Sequence, residues 1–434
     1  MTRTHIVIVG AGFAGFHCAR RLSKLASSHV DVTLINPTDY FLYLPLLPQV
    51  AGGLLNAARV AVPLTSTLPD VRLHLGEAQA IDLDRRSVTC VDAEQNSRDV
   101  SYDGLVIAAG SVNRLLPIPG IADHAHGFRG IPEAMFLREH LTRQVELADI
   151  ADDPKERAAR LTFIVVGAGY TGTEVLAHGQ KLVSSIVKSR RRLRGVTPKW
   201  YLLDTANRVL PGLSDRLSRT TDRVLQRRGV DVRMGCSVKE ATADGAYLSD
   251  GSFIASQTLI WCVGVRPDPL VEATGLATVE GRLSVNTDLT VPGRPEVYAI
   301  GDAAAVPDLT MPGQITAMTA QHAERQGLLA AENIVATLTK QPRREYRHHD
   351  LGFVVDLASG AAAANPLHIP LSGLPAFAVT AGYHLMALPA GRLGVVADWA
   401  LGAVTGRQAV QLGLVTAANV PFDTAVPELP RRTV

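Results

Sequence analysis

The sequence predicts an α/β fold in which one strand–turn–helix–strand unit with a parallel sheet occurs twice. Two glycine-rich turns of the form GxGxxG, at residues 10–15 and 167–172, each follow a short run of apolar and β-branched residues. A helical stretch and a second apolar run come after each turn, which is the order that builds a dinucleotide-binding sheet. The chain has 434 residues, enough for roughly two to four domains.

Composition narrows the class of protein. Hydrophobic residues make up 47% of the chain and charged residues 19%, which excludes intrinsic disorder. The net charge is +2, so no charge excess points to nucleic acid. The four cysteines, Cys18, Cys90, Cys236 and Cys262, form neither a CxxC pair nor a zinc knuckle, and their spacing fits a protein of the reducing cytosol. No metal site is predicted.

Each glycine of the first turn has a specific role. Residues 5–9 (HIVIV) form the predicted strand before it. Gly10 permits the tight turn, Gly12 lets the backbone approach a pyrophosphate, and Gly15 lets the following helix pack on the strand. The N–H groups at the helix start then face the phosphate charge. The alternative is a tight turn that binds nothing.

The residue that ends the second strand differs between the two copies. An acid at this position hydrogen-bonds the ribose hydroxyls of a dinucleotide. The first copy has Asn36, which keeps an acceptor oxygen but no charge. The second copy has Asp204, whose carboxylate favours a free 2′-hydroxyl and therefore NADH over NADPH. The alternative for Asp204 is a solvated residue at a strand end.

A third element supports a flavin. Residues 297–300 (VYAI) form a predicted strand that runs into Gly301 and Asp302, and this aspartate can reach a ribityl hydroxyl of FAD. A chain with two dinucleotide sites is typically a flavoprotein that binds FAD at one site and a nicotinamide donor at the other.

Several motifs, in order, resemble the type II NADH:quinone oxidoreductases, a family of flavoproteins with two dinucleotide-binding domains. The resemblance spans nearly the whole chain. The motifs are VIVGAGFAG at residues 7–15, YFLYLPLLPQVA at 40–51, LVIAAGS at 105–111, IPG at 118–120, VVGAGYTGTE at 165–174, LIWCVGVRP at 259–267, YAIGDAA at 298–304 and AQHAERQG at 320–327.

The resemblance implies a domain organisation and a set of cofactor contacts. An FAD domain at residues 1–118 and 288–338 would be interrupted by an NAD domain at 119–287 and followed by a C-terminal α+β domain at 339–434. The implied FAD contacts are Gly10, Gly12, Phe13, Ala14, Gly15, Asn36, Pro45, Ala78, Ala109, Gly110, Gly301, Asp302, Ala320 and Gln321. The implied NAD contacts are Gly167, Gly169, Tyr170, Thr171, Gly172, Glu174, Asp204 and Gly264.

The resemblance also implies catalytic residues. Glu174 is placed in the first turn of the helix after the second glycine motif, where it positions the nicotinamide or handles a proton. Its alternative role is an acid that complements the helix dipole. A helix that begins near residues 319–321 would point its N-terminus at the reduced flavin. Gln321 and Gln326 would face the second substrate.

The acceptor side departs from the family pattern. Arg325 stands where the family has glutamine, Leu44 and Pro48 replace a common glutamine and tyrosine, and Leu351 replaces a basic residue. Arg325 binds an anionic or carbonyl-rich acceptor, or pairs with an acid. Two other functions therefore stay open beside quinone reduction: a soluble NAD(P)H:acceptor reductase of the ferredoxin or diaphorase type, and a non-catalytic redox sensor. A sulfide:quinone oxidoreductase is excluded because the chain lacks cysteines for a flavin-side disulfide.

The C-terminal region raises the question of a membrane. Residues 357–391 contain no Asp, Glu, Lys or Arg, but their prolines and glycines make a poor spanning helix. The interpretation favoured by the resemblance is peripheral attachment to the inner face of the cell membrane, with Trp399 as an interface anchor between Arg392 and Arg407. The alternative is a helical hairpin packed on the FAD domain. The sequence leaves a homodimer open.

Overall fold

The computed structural model describes residues 3–26, 28–420 and 422. By their contacts these residues divide into two compact units. Unit 1 contains the residues up to Tyr43, Ala61–Val112 and Val265–His349, and unit 2 contains Leu44–Val60, Asn113–Gly264 and the residues from Asp350 onward. The outer ends of the predicted domains, residues 1–2 and 423–434, lie outside the described residues. No helix of the described part is long and apolar enough to cross a membrane.

Helices occur in both units. In chain order the α-helices of the described residues are α1 (Phe13–Ala26), α2 (Leu47–Ala51), α3 (Leu64–Thr67), α4 (Ile121–His124), α5 (Ile131–Ile150), α6 (Pro154–Arg160), α7 (Tyr170–Ser189), α8 (Asp215–Arg227), α9 (Pro269–Ala273), α10 (Ala320–Leu338), α11 (Leu374–Ala387) and α12 (Arg392–Thr405).

The strands are shorter and more numerous. They are β1 (Thr4–Val9), β2 (Val30–Asn36), β3 (Tyr40–Leu42), β4 (Ala61–Pro63), β5 (Val71–Leu75), β6 (Glu77–Asp82), β7 (Ser87–Val91), β8 (Ser97–Ser101), β9 (Gly104–Ile107), β10 (Ser111–Asn113), β11 (Ala125–Gly127), β12 (Thr162–Val166), β13 (Lys199–Asp204), β14 (Val230–Met234), β15 (Val238–Thr242), β16 (Gly245–Leu248), β17 (Phe253–Ala255), β18 (Leu259–Trp261), β19 (Val265–Pro267), β20 (Thr278–Val279), β21 (Arg282–Ser284), β22 (Thr290–Val291), β23 (Arg294–Ala299), β24 (Ala304–Ala305), β25 (Val354–Asp356), β26 (Ala362–Ala364) and β27 (Leu371–Ser372).

Unit 1 is built on a six-stranded sheet with the order β22-β23-β9-β1-β2-β5. Strands β23, β9, β1, β2 and β5 run parallel, and β22 is an antiparallel edge. The central strands are apolar along their length because both faces of a parallel sheet are covered. The carboxyl ends of β23, β9, β1 and β2 therefore lie side by side, and the turns that follow them share one edge of the sheet.

Small residues allow α1 and α10 to pack closely within unit 1. A Cβ atom on Gly327 of α10 would lie 2.2 Å from the Ala14 carbonyl oxygen, and one on Gly301 would lie 3.0 Å from the Ala14 Cβ. Glycine at these two positions thus brings α10 and the loop after β23 against the start of α1.

Unit 2 repeats the design with a five-stranded parallel sheet in the order β11-β18-β12-β13-β14. The Phe163 ring of β12 stacks on the buried Trp200 ring of β13, with centroids 4.5 Å apart. The carboxyl ends of β18, β12 and β13 share one edge, as in unit 1. The predicted α/β class, with one parallel sheet in each unit, is confirmed.

The C-terminal part of unit 2 mixes strands and helices, as the predicted α+β class requires. Strands β25, β26 and β27 form an antiparallel sheet. Helix α11 packs on it through a core of small residues, Ala362, Ala364 and Ala376. Helix α12 follows, and much of its apolar surface is exposed, including Leu393 at 86% and Val404 at 87%.

Candidate functional site

The first glycine turn of unit 1 has the geometry that a pyrophosphate site needs. Gly10 has φ +95°, and a Cβ atom there would lie 2.3 Å from the Ala108 carbonyl oxygen. A Cβ atom on Gly15 would lie 1.8 Å from the Gly10 oxygen. Around Gly12, by contrast, no heavy atom comes within 4 Å of the Cβ position, so its backbone is open to a ligand. The three glycines thus serve turn, packing and ligand approach, and the cradle fits a phosphate group.

Asn36 braces this turn. Its Oδ1 accepts a hydrogen bond from the Ala11 N–H at 2.8 Å, and its Nδ2 donates to the Thr38 carbonyl oxygen at 2.8 Å. Asn36 is buried. Asn36 therefore holds the turn, and its predicted contact with a ribose stays a prediction.

Gly301 and Asp302 are connected to neighbouring elements of unit 1. The Gly301 N–H donates to Gln326 Oε1 at 2.7 Å, and Gln326 Nε2 donates to Thr316 Oγ1 at 3.1 Å. Gln326 is only 1% exposed, so both ends of its amide are used inside the protein. The Asp302 carboxylate accepts from Ser111 Oγ at 2.7 Å. Ser111 ends the LVIAAGS motif but was not singled out as a site residue, and no motif marks Thr316.

The remaining FAD candidates before α10 lie in three places. Ala109 and Gly110 follow β9, and Phe13 and Ala14 begin α1, so these four lie at the shared edge of the sheet. Ala78 lies in β6, two residues after Gly76, whose N–H donates to the Asn36 carbonyl oxygen at 2.9 Å. Pro45 belongs to unit 2, in the short 3-10 helix Leu44–Leu46.

Helix α10 begins where the sequence predicted. It starts at Ala320, and the Oγ1 of its N-cap residue Thr319 accepts from the His322 N–H at 3.3 Å. Gln321 lies in the first turn.

Arg325 has partners that the sequence did not anticipate. Its Nη1 donates to His348 Nδ1 at 2.9 Å and also to the His349 carbonyl oxygen. The centroids of the His348 and His322 rings are 3.9 Å apart. Within the described part of the chain, Arg325 donates its hydrogen bonds to His348 and His349 and not to an acid.

The glycine turn of unit 2 repeats the geometry of the first. Gly167 has φ +105°, and a Cβ atom there would lie 2.2 Å from the Cys262 carbonyl oxygen. A Cβ atom on Gly172 would lie 1.9 Å from the Gly167 oxygen, whereas the Gly169 position is open. Tyr170 and Thr171 begin α7, and Gly264, with φ +96°, follows β18 at the same edge. This second cradle also fits a phosphate group.

Asp204 braces the second turn as Asn36 braces the first. Its Oδ2 accepts from the Ala168 N–H at 2.6 Å, and its Oδ1 accepts from the Ala206 N–H at 2.8 Å. Asp204 is only half-buried, and each carboxylate oxygen has a further lone pair. The ribose role stays a prediction that is compatible with this bracing.

Glu174 lies one turn further along its helix than the sequence predicted. Helix α7 begins at Tyr170, so Glu174 is its fifth residue and lies in the second turn, not the first. That position weakens the interpretation as a dipole-complementing acid, because the dipole acts within the first turn. Glu174 Oε1 accepts from the Asp356 N–H at 2.8 Å. Burial, with a further contribution from the Asp356 charge, raises the pKa of Glu174 well above its usual range.

A group of polar residues around Glu174 went unnoticed in the sequence. His178, Asp356 and Gln49 form a buried hydrogen-bonded cluster, and Trp399 donates its indole N–H to Gln49 Oε1 at 2.7 Å. Trp399 directs its indole N–H to this cluster, and its predicted role as a membrane-interface anchor stays a prediction. The signals available in the sequence were an acid inside an apolar run (FVVDLA) and a histidine four residues after Glu174.

All four cysteines are free. Burial raises the pKa of Cys18 and of Cys262 to about 12, so both thiols stay protonated near neutral pH. The described chain therefore contains no disulfide.

Comparison with known proteins agrees with this geometry. The sequence profile of the pyridine nucleotide-disulphide oxidoreductase family matches residues 4–327. The type II NADH:quinone oxidoreductase Ndh of Mycobacterium tuberculosis is 31% identical over 401 residues, which cover 88% of this chain and 84% of that protein. The demethylphylloquinone reductase NdbB of Synechocystis is 29% identical over 86% of this chain and 89% of its own length.

The fold has close structural counterparts. The structure of NDH2 from Plasmodium falciparum in complex with NADH superposes with a TM-score of 0.87 at 18% identity, and the match covers 94% of this chain and 100% of that one. The sulfide:quinone oxidoreductase of Aquifex aeolicus superposes with a TM-score of 0.72 at 19% identity, over 93% of this chain and 96% of that one. On the family profile and the sequence identity to Ndh, the chain belongs to the type II NADH:quinone oxidoreductases within the pyridine nucleotide-disulphide oxidoreductase family.

Proposed function

We propose that this protein is an FAD-dependent enzyme that oxidises NADH and reduces a quinone. One observation carries the proposal: the same three-glycine cradle, braced by a polar side chain at the end of the next strand, is built once in each unit. The names of the curated relatives support NADH as donor and a quinone as acceptor. When bound, the flavin accepts hydride from NADH and passes the electrons to the acceptor.

The residues of unit 1 bind FAD in this proposal. The open backbone at Gly12 and the N-terminus of α1 hold its pyrophosphate, and Asp302 accepts a hydrogen bond from a ribityl hydroxyl. A dinucleotide suits this cradle better than a mononucleotide flavin, because the glycine turn recognises a pyrophosphate. The bounds implied by the resemblance for the FAD domain, residues 1–118 and 288–338, differ from unit 1, which lacks residues 44–60 and 113–118 and also contains residues 265–287 and 339–349.

The residues of unit 2 bind NADH. Gly169 and the N-terminus of α7 hold the pyrophosphate, Asp204 accepts hydrogen bonds from the ribose, and Glu174 orients the nicotinamide or handles a proton. Gln321, in unit 1, is the proposed contact of the quinone.

Rapid mixing of the purified flavoprotein with NADH under anaerobic conditions tests the reaction. We expect the visible flavin band to bleach and to return when a menaquinone or ubiquinone analogue is added. Return with ferredoxin but not with quinone would instead identify a soluble acceptor reductase. A band that does not bleach would contradict both reductase functions and leave the redox sensor.

We also propose that the protein attaches peripherally to the inner face of the cell membrane, where cytosolic NADH is available. Exposed apolar side chains on α11 and α12 carry this proposal: Leu374, Met386, Leu393, Leu401 and Val404. Such side chains can enter the interfacial layer of a bilayer without spanning it.

The sequence leaves a homodimer open. Analytical ultracentrifugation without membranes would distinguish a monomer from a homodimer.

A further inference from the structure

A buried polar cluster surrounds Asp356, the last residue of β25 in unit 2. Its Oδ2 accepts hydrogen bonds from His178 Nε2 and from Gln49 Nε2, each at 3.0 Å, and its Oδ1 accepts from the Ala358 N–H at 2.8 Å. His178 is 1% exposed and Asp356 is 6% exposed. The carboxylate thus has three donors in a place with almost no access to water.

The cluster is continuous with Glu174. Glu174 and His178 lie four residues apart on α7 and therefore share one face of the helix. Asp356 contacts both: its backbone N–H donates to Glu174 Oε1 at 2.8 Å, and its carboxylate accepts from His178. One residue of β25 therefore couples the two side chains of α7.

A second layer of contacts fixes the cluster from outside. Trp399 Nε1 donates to Gln49 Oε1, which orients the Gln49 amide so that its nitrogen faces Asp356. Arg407 Nη1 donates to the Gly52 carbonyl oxygen at 2.6 Å and approaches His178 Nδ1 to 3.5 Å.

Stability alone does not account for such a cluster. Apolar side chains of similar volume often stabilise a protein interior as well as, or better than, buried charged groups. The cluster adjoins the buried carboxyl group to which the proposed function assigns a role with the nicotinamide or with a proton. Its geometry is therefore better explained by what it does to that carboxyl group.

We propose that His178 and Asp356 are positioning residues for Glu174: the Asp356 amide orients its carboxyl group, and the Asp356 carboxylate, held in place by His178, opposes a second negative charge beside it. This inference rests on the proposed NADH:quinone function. The overall reaction is NADH + H⁺ + quinone → NAD⁺ + quinol, so each turnover takes one proton from solvent. A neutral Glu174 can donate that proton from its carboxyl O–H and regain one from water.

Two other titratable side chains near Glu174, Asp356 and His384, each keep one protonation state around neutral pH. Burial alone would raise the pKa of Asp356. His178 and the hydrogen bonds from Ala358 and Gln49 nevertheless lower this pKa to about 2, so the carboxylate stays negative. Burial lowers the pKa of His384 on α11 to about 4, so it stays neutral.

Two arginines and a tyrosine complete the surroundings. Burial lowers the pKa of Arg407 to about 10, which leaves it positive. Arg228, which follows α8, donates to the Leu357 and Ala358 carbonyl oxygens. On α7 itself, burial raises the pKa of Tyr170 to about 12, so its hydroxyl stays neutral.

The test is the pH profile of kcat with NADH and a menaquinone analogue for wild type, E174Q, D356N, H178A and H178Q. In wild type, kcat should fall at high pH as Glu174 loses its proton, and we call this fall the alkaline limb. Removing the Asp356 charge lowers the pKa of Glu174, so we expect the alkaline limb of D356N to move to lower pH by about one unit. E174Q should lack that limb. H178A should lose about tenfold in kcat, and H178Q, whose amide can still donate to Asp356, should recover most of it. The KM for NADH should stay unchanged in D356N and in both His178 variants.

E139Q is the matched control. Glu139 is a fully buried acid of unit 2 whose carboxylate accepts from the Leu412 and Gly413 N–H groups, neither of which belongs to the cluster. It should lower the melting temperature without moving the alkaline limb.

The outcomes separate the two proposals. If D356N melts earlier but keeps the wild-type limb and kcat, the positioning role is overturned. If D356N does not fold, the H178A and H178Q pair decides, and equal activity of those two variants overturns the role. If wild type does not reduce quinone at all, the proposed function itself fails.

Discussion

Asp204 and Asn36 occupy the same position in the two copies of the glycine turn, yet they differ in charge. Each accepts a hydrogen bond from the N–H group two residues into its turn, that of Ala168 or Ala11. An amide oxygen therefore suffices to brace the turn, and the charge of Asp204 is left for another purpose. Recognition of the free ribose hydroxyls of NADH is the purpose that its half-buried carboxylate suits.

Replacing Asp204 by asparagine separates the two roles. D204N should keep the bond from the Ala168 N–H and lose the charge. We expect the preference for NADH over NADPH, as a ratio of kcat/KM values, to fall about tenfold, the order of one charged hydrogen bond. Steady-state kinetics with both donors measures it, and the melting temperature serves as the control for the turn. An unchanged preference would remove Asp204 from ribose recognition.

At the scale of elements, the packing of α1 on α10 depends on a single glycine. A methyl group at Gly327 would meet the Ala14 carbonyl oxygen at 2.2 Å, and that oxygen belongs to backbone that cannot move aside without shifting a helix. This contact places the start of α1 against α10, and the neighbouring Gln326 accepts a hydrogen bond from the Gly301 N–H at 2.7 Å. The proposed FAD cradle therefore depends on a residue that is not among the predicted FAD contacts.

G327A should destabilise unit 1 by about 1–3 kcal/mol, the usual cost of overpacking, and should lower flavin occupancy. Thermal unfolding and the ratio of flavin to protein absorbance measure the two effects. The matched control is G382A, because Gly382 is an exposed glycine of α11 with no heavy atom within 4 Å of its Cβ position. G382A should be neutral or stabilising by up to about 1 kcal/mol, since alanine favours a helix. Equal losses in both variants would contradict the packing argument.

The apolar surface of α11 and α12 is the second feature at this scale. The double variant L393E/V404E should reduce flotation with vesicles of bacterial lipids at least fivefold, because two carboxylates on this surface oppose entry into the bilayer. I150E is the control, since Ile150 is also an exposed apolar residue but ends α5. Undiminished flotation of L393E/V404E would show that another surface binds the membrane.

For the whole molecule, the four cysteines give a prediction about redox chemistry. They are spread over both units, none is paired, and burial keeps Cys18 and Cys262 as thiols. Electron transfer should therefore not involve a cysteine pair. We expect the same rate of flavin reduction by NADH with and without dithiothreitol, as measured by stopped flow. A rate that depends on the reductant would indicate a functional disulfide.

The glycine turns could be predicted from the sequence because their geometry is local. Strand, turn and first helical residues lie within about a dozen positions of each other, and the Gly10 and Gly167 conformations follow from residue type. Asn36 and Asp204 were identified by their distance from the turns, although their bracing bonds were not.

The cluster around Asp356 could not be predicted, because its contacts join distant parts of the chain. Asp356 lies 178 residues from His178 and 307 from Gln49. The partners of Arg325 were missed for a related reason, since the loop that brings His348 back to α10 carries no motif. Tertiary folding, not local pattern, decides such contacts.

The interleaving of the two units has a consequence for the order in which the protein can form on the ribosome. Strands β1, β2, β5 and β9 emerge early, but their neighbour β23 is made only after all five strands of the unit 2 sheet. The hydrogen bond from Gln49 to Asp356 can form only later, after Asp356 has left the exit tunnel. Neither unit is complete until synthesis has passed residue 349, so the nascent chain carries partly open sheets through most of its translation, when pairing with other chains is a hazard.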